Sequence, residues 1–353
     1  MAYLALSTAN LPNPAIDPAQ GASPEDHFNT VLYTGTQATK SVTGVGFEPS
    51  LVWLKNRSSA VNHYLVDQVR GATKALFSNS TAAEDTDPLS LQSFDSDGFT
   101  LGSSYGFNAS GDAYVAWNWK ANGSGVSNNA GSIPSTVSAN TTSGFSICTF
   151  TPSGSNFTFG HGLNVAPDAV WVKNRDDGAA NWVCYQRAIG ATQYLMLNSA
   201  NGAATSSLAW QNTDPTSSVV YVGAFNYASG QDYVAYCFHS VDGFSKFGSY
   251  VGNGSTDGPF VYTGFRPAFV LGKNITNAGN HWFMVDQERT TFNGGANWIK
   301  ADASSAELTN LTNPDFLSNG FKIRSSDAIY NTSGSTFIYM AFAENPFKYS
   351  NAR

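Results

Sequence analysis

Val45-Gly46-Phe47-Glu48-Pro49-Ser50-Leu51-Val52-Trp53-Leu54-Lys55-Asn56-Arg57 is a pattern that this chain writes three times. The second copy is Val165-Ala166-Pro167-Asp168-Ala169-Val170-Trp171-Val172-Lys173-Asn174-Arg175, and the third is Gly264-Phe265-Arg266-Pro267-Ala268-Phe269-Val270-Leu271-Gly272-Lys273-Asn274. Each copy is a proline, a short apolar run and then Lys-Asn. Proline ends one segment and starts an extended one. The β-branched and aromatic run is too short for a helix and reads as a mostly buried strand. Lys-Asn is expected to turn the chain out into solvent.

Working outward, other landmarks recur in the same order. The signature prolines stand at 49, 167 and 267. From each signature Asn to a middle landmark is 11, 11 and 12 residues: Asn56 to Asp67, Asn174 to Tyr185, Asn274 to Asp286. Closing strands are expected at Tyr114–Trp119, Tyr233–Phe238 and Phe337–Phe342, and Val115, Trp117 and Trp119 would share one face. Repeats at a fixed period decide an architecture before any single element does. The reading is all-β, with three related β-sandwich or jelly-roll-like units of about 95–105 residues, because short strands with turn signals every ten residues or so suit that class. The expected division is an extended N-terminal arm at 1–26, units at 27–121, 144–240 and 241–353, and a Gly/Ser/Asn linker at 122–143.

Composition agrees with a folded β protein. Aromatics reach 14% of the 353 residues and charged residues only 12%, about half the usual share. The net charge is −7 and no Lys/Arg run exists, so nucleic acid is not an expected partner. No apolar run approaches a membrane span, and the start Met-Ala-Tyr-Leu-Ala-Leu lacks the basic opening of a signal peptide. The expectation is a protein made in the cytoplasm without membrane insertion. Cys148, Cys184 and Cys237 lack Cys-x-x-Cys spacing and read as small buried hydrophobes, so neither metal nor cofactor is expected.

Four features invite chemistry. Asp95 and Asp97 form a carboxylate pair, but Ser96-Asp97-Gly98 reads as a turn and the third copy has Ser318 and Asn319 there. His63 and His281 precede Asp67 and Asp286, yet no Gly-x-Ser-x-Gly elbow accompanies them, so a structural hydrogen-bonded pair is expected. Trp182 and Trp282 read as core. The loops before the closing strands repeat an aromatic beside an amide: Phe107-Asn108, Phe225-Asn226-Tyr227 and Tyr330-Asn331. A flat ring with fixed hydrogen-bonding groups beside it suits sugar recognition, so these seven are the candidate glycan-binding residues. The plainer alternative is ordinary hairpin loops.

The stretches Thr30-Val31-Leu32-Tyr33-Thr34-Gly35, Val45–Arg57, Val69-Arg70-Gly71-Ala72-Thr73-Lys74 and Ser93-Phe94-Asp95-Ser96-Asp97-Gly98-Phe99, with Ala341-Phe342-Ala343-Glu344-Asn345-Pro346-Phe347, resemble a repeat domain in virion proteins of marine tailed bacteriophages. Such proteins are described as tail-fibre-like or unassigned structural proteins. The resemblance implies a non-enzymatic structural protein of the virion, of fibre or spike type, for host or glycan attachment. Its implied partners are other virion proteins, tail or capsid, reached through the N-terminal arm, and host-surface glycan. A homo-oligomer is expected, and a trimer fits the cyclic symmetry of phage appendages. This chain has no heptads and no shaft-like repeat, which leaves room for a capsid decoration (cement) protein anchored by the arm. A polysaccharide-degrading enzyme is the remaining alternative.

Overall fold

The structure, a computed structural model, describes residues 11–154, 156–225 and 227–350. The fold is all-β. The three signature runs become Leu51–Asn56, Ala169–Asn174 and Phe265–Asn274. Each lies between a middle strand (His63–Asp67, Val183–Gln186, Phe283–Asp286) and a closing strand (Ala113–Trp119, Tyr233–Phe238, Thr336–Pro346). An opening strand (Phe28–Thr34, Phe145–Phe150, Ser245–Val251) pairs with the other side of each closing strand. All these pairings are antiparallel, and the order opening–closing–signature–middle is the same in the three sheets.

The signature strands show no polar alternation because both of their faces are covered. Antiparallel sheets usually leave one face to water. Here every residue of Leu51–Asn56 and Ala169–Asn174 is buried. One face of each large sheet packs on a small sheet of its own. In the first sandwich, Val52, Leu54, Tyr114 and Ala116 meet Val42, Leu91, Phe99 and Leu101 of Lys40–Thr43, Leu91–Asp95 and Gly98–Leu101. The second small sheet is Phe157–Gly160 with Val219–Val222, and the third is Phe260–Tyr262, Gly320–Lys322 and Asp315–Leu317. The other faces of the three large sheets meet in a single central core. Trp53 packs edge-on to Trp171 with centroids 5.8 Å apart, Trp117 lies 5.7 Å from Phe269, and Phe238 lies 6.2 Å from Phe342. The units are therefore not beads. Each large aromatic or aliphatic side chain withdrawn from water there contributes roughly 1.5–3 kcal/mol, and none of the three sheets could bury its inner face alone.

Two segments differ from expectation. Residues 122–143 are not a loose linker: Val126–Asn128 and Ser135–Asn140 add two strands beside Phe145–Phe150. Polar edge strands carry little apolar periodicity, so a Gly/Ser/Asn composition hides them. The arm is not extended over its described part, 11–26. It makes 3-10 turns at Pro18–Gln20 and Pro24–Asp26, buries Ile16 in the central core, and receives a hydrogen bond from Tyr349 Oη to Asp17 Oδ1 at 2.6 Å. Proline sets φ for such turns as readily as for extended chain. Residues 1–10 lie outside the described residues.

Candidate functional site

The chain does turn out to solvent after each signature Lys-Asn, where Ser58, Asp176 and Thr276 are exposed, but the Lys and Asn side chains themselves stay inside. Lys55, Lys173, Lys273, Asn56 and Asn274 are fully buried and Asn174 nearly so. Each Asn accepts two backbone N–H bonds from residues two and three ahead: Ser58 and Ser59, Asp176 and Asp177, Thr276 and Asn277. That Asx turn reverses the chain at the surface, fixed from below by a buried amide. Each ammonium is met by carbonyls rather than by a carboxylate. Lys55 donates to Asn56 O at 2.7 Å, and Lys173 to Ala180 O at 2.9 Å and Thr81 O at 2.8 Å. Lys273 donates to Asn280 O and to Ser199 O. Burial pushes all three down to about 8. Two of these contacts cross between sandwiches, from Lys173 to the first and from Lys273 to the second.

A second set of contacts joins neighbours in a closed ring. Trp182 Nε1 donates to Phe77 O at 2.8 Å, Trp282 Nε1 donates to Met196 O at 3.0 Å, and His63 Nε2 sits 2.9 Å from Lys300 O. The register places these three side chains at one position, each at the head of its middle strand. His63 is therefore not a catalytic base and not the partner of Asp67. Its Nδ1 accepts from Trp53 Nε1 at 2.9 Å, so its Nε2 is the donor, and burial followed by the nearby Lys55 charge pushes its imidazole well below the usual histidine range. His281 does not match His63. It bonds Asp302 Oδ2 at 3.0 Å, one position before Trp282.

The middle landmarks carry the polar seams. Asp67 pairs with Arg70 at 2.5 Å and accepts from Tyr236 Oη of the second sandwich at 2.8 Å. Asp286 pairs with Arg289 at 2.6 Å and accepts from Trp117 Nε1 of the first at 3.0 Å. Glu84 then clamps Arg70 and Arg175, and Glu307 clamps Arg289 and Arg57. Burial raises the Glu84 carboxyl, and the bonds and charges of Arg175 and Arg70 outweigh it, so the net direction is down. The third seam lacks this chemistry. Opposite Ala169, as Asp67 is opposite Leu51, stands Gln186, not Tyr185; its Nε2 is buried without a partner. Ile189 and Ile275 hold the arginine positions, and Ala203 N donates to Ile275 O where Glu84 N donates to Arg175 O and Glu307 N to Arg57 O. Two seams are ionic and one is apolar.

The candidate glycan residues are mostly inside. Phe107, Asn108, Tyr330 and Asn331 are buried. Asn108 donates to Ala38 O and Gly102 O and accepts from Thr36 N. Asn331 donates to Ser255 O and Ser325 O and accepts from Asn253 N. The amides pin loops, which is the hairpin alternative in a buried form. Phe107 packs on Tyr64 with centroids 4.3 Å apart, and Tyr330 Oη donates to Asn313 Oδ1. Phe225 and Tyr227 are half-buried, packed on Tyr194 and Tyr233 respectively; Asn226 lies outside the described residues. Asp97 pins the neighbouring loop at 44–46 by accepting from Gly44 N and Gly46 N, while Asp95 accepts from Ser93 Oγ and Thr100 Oγ1. The three cysteines are free and buried. Among the described residues, no group of three or more His, Cys, Asp or Glu could hold a metal, and no helix is long and apolar enough to cross a membrane.

Sequence reasoning missed the rings that do face solvent: Tyr105, Phe260, Tyr262 and Phe292. Tyr105 begins the short helix Tyr105–Asn108, two residues before the ring that the loop pattern singled out. An open groove of about 360 Å³ is lined by Thr136, Thr149, Thr151, Arg175 and Asp232. Its arginine is already held by Glu84, with Nε and Nη2 2.9 Å from the two carboxylate oxygens.

Fold and seams together define an all-β protein whose three sandwiches close around one shared core. A family model described as a domain of unknown function, DUF7483, matches residues 23–346, and the chain belongs to that family. No curated protein and no solved structure matches it.

Proposed function

We propose that this chain is a non-enzymatic structural protein of a tailed-phage virion, a fibre- or spike-type surface part that meets host or environmental glycans. One observation carries the reading. The polar residues that recur through the chain are engaged with one another and with backbone: the signature Asn residues and Lys55 fix their own loops, while Lys173, Lys273, the middle Asp residues and the Glu clamps bond across between sandwiches. Recurrent polar groups used in that way build a rigid body. The threefold arrangement that an appendage usually obtains from three chains is supplied inside one chain, which a part seated on a cyclic axis would use. Glycan contact then falls to exposed rings such as Tyr105, not to the buried Phe107 and Tyr330.

The test is mass spectrometry of purified particles followed by cryo-EM. The chain should be present and its three-sandwich body should fit density on the tail or at its tip. Density on the head lattice would move the assignment to capsid decoration, and absence from the particle would overturn the reading.

A further inference from the structure

We infer that the open edge of the third small sheet, Phe260–Tyr262, is a pairing surface for a second copy of this chain. The inference starts from a comparison within the molecule. Lys40–Thr43, Phe157–Gly160 and Phe260–Tyr262 are the edge strands of the three small sheets, and each pairs on one side only. Their registers align Val42, Phe159 and Val261, which face their own sandwich cores. The outward positions are then Ser41 and Thr43, Thr158 and Gly160, and Phe260 and Tyr262.

The three edges are treated differently. In the first, the outward side chains are short and polar, a usual defence of an exposed edge. In the second, the chain covers the edge itself. Ser132 and Ile133 run alongside: Ile133 N donates to Thr158 O, Thr158 N donates to Ser132 Oγ at 2.8 Å, and Ser135 Oγ donates to Gly160 O at 2.9 Å. In the third, no described residue bonds the open side of the strand, although Leu11, Pro12 and Pro14 line a cavity beside Tyr262, and its outward side chains are two large rings, Phe260 45% and Tyr262 59% exposed. The sandwich does not require aromatics there, since the first copy is built without them.

The main chain of this third edge is also poised to pair. Ile323 N donates to Pro259 O and Thr263 N donates to Asn319 O. In an antiparallel ladder hydrogen-bonded and non-bonded pairs alternate, so Val261 bonds its neighbour strand while Phe260 and Tyr262 direct N–H and C=O to the open side. A second copy related by a twofold axis through Val261 would place Phe260 of one copy opposite Tyr262 of the other. The free groups of both strands would then pair, joining two small sheets into one. The rings would meet as cross-strand aromatic pairs on the outer face. A Cβ at Gly320 would clash with Val261 O and come 3.0 Å from the Phe260 ring, so glycine there admits both the close strand pairing and the ring beside it. The rim carries both signs, Lys322 paired with Asp257 and Arg324 with Asp315. These charges are already paired within the chain, so none of them opposes a second copy as an unpaired like charge.

Sedimentation velocity on the full chain tests this. The wild type should populate a dimer at tens of micromolar. Phe260→Ser with Tyr262→Thr, which installs the polar residues of the first edge, should return it to monomer with an unchanged melting temperature. Tyr105→Ser should leave the dimer intact. A monomeric wild type overturns the inference, as does a dimer that persists in the double variant. So does a monomer that binds polysaccharide through these rings, which would give the face to sugar. Hydrogen exchange needs no variant: the Phe260 and Tyr262 amides should gain protection with protein concentration, and concentration-independent exchange would also count against pairing.

Discussion

Tyr236 Oη donates a 2.8 Å hydrogen bond to Asp67 Oδ2, and this one bond ties the closing strand of the second sandwich to the middle strand of the first. The same carboxylate holds Arg70, which also reaches Leu65 O and Glu84. A buried charge pair needs such extra bonds, because the attraction alone does not repay desolvation of both ions. Tyr236→Phe should therefore cost about 1–3 kcal/mol by leaving one carboxylate oxygen short of a donor. Asp67→Ala should cost more, about 3–5 kcal/mol, since it strands a buried guanidinium. Urea unfolding of both variants checks the order. Equal losses would mean that the seam does not act as a network.

Gln186 stands where Asp67 and Asp286 stand, but no arginine faces it and its Nε2 is buried without a partner. Its neighbours across the seam are apolar in kind, with Ile189 and Ile275 at the arginine positions. Removing an unpaired buried amide relieves a desolvation penalty. Gln186→Leu should leave stability unchanged or raise it by about 1 kcal/mol. Asp286→Leu, the same change at the matching place, should lower it by several kcal/mol. Thermal melts of the pair decide between position and chemistry as the cause.

The difference between those seams marks how far the sequence can be read. The strand runs and the all-β class were legible, because β-branched and aromatic residues bounded by proline and Lys-Asn leave few other readings. The fate of the polar residues was not. Lys173 and Lys273 look like part of a solvated turn, and carbonyls from a neighbouring sandwich, Thr81 O and Ser199 O, help to hold them inside; Lys55 is held by carbonyls of its own loop, Asn56 O and Ser59 O. Phe107-Asn108 looks like an exposed recognition pair for the same reason: a ring and an amide have one appearance in sequence whether they bind sugar or pin a loop. Tyr185 was matched to Asp67 by counting from the signature Asn. The ladder, which pairs Ala169 with Gln186, shows that the count between those points differs by one. The Ser132–Ile133 cover of Thr158 could not have been found, because its residues are those of a linker.

Asn331 gives a direct test of the loop-pinning role. Its amide donates to Ser255 O at 2.7 Å and Ser325 O at 3.0 Å, and its Oδ1 accepts from Asn253 N at 2.7 Å. Asn331→Ala removes all three and leaves buried carbonyls and an N–H unsatisfied. We expect a loss of about 2–4 kcal/mol, from two or more partners at roughly 1–3 each with partial relaxation. Asn331→Asp should be damaging too, because a carboxylate cannot donate to either carbonyl. Differential scanning calorimetry reads both. A neutral outcome for Asn331→Ala would return this residue to the surface and to ligand binding.

The buried lysines predict an unusual alkaline behaviour. Lys55, Lys173 and Lys273 are held down to about 8 by burial, against an ordinary value of 10.5 in the unfolded chain. Below pH 8 both states are protonated and the cost of the buried charges is present in full. Between about 8 and 10 the unfolded chain holds more protons than the folded one, so stability rises with pH, by at most about 1.4 kcal/mol per pH unit for each lysine. Tyrosine works the other way: burial pushes Tyr33, Tyr236 and Tyr250 well above 10, so above pH 10 the unfolded chain ionises first and stability falls again. Unfolding midpoints at pH 7.5, 8.5 and 9.5 should therefore climb. Lys173→Met should lower stability at every pH, because Thr81 O and Ala180 O lose their donor. It should also flatten the climb by about one lysine's share. The slope is the decisive reading: a wild-type profile that is flat or falling across this window would mean that the carbonyl cages hold the ammonium groups charged, and that burial does not govern their titration.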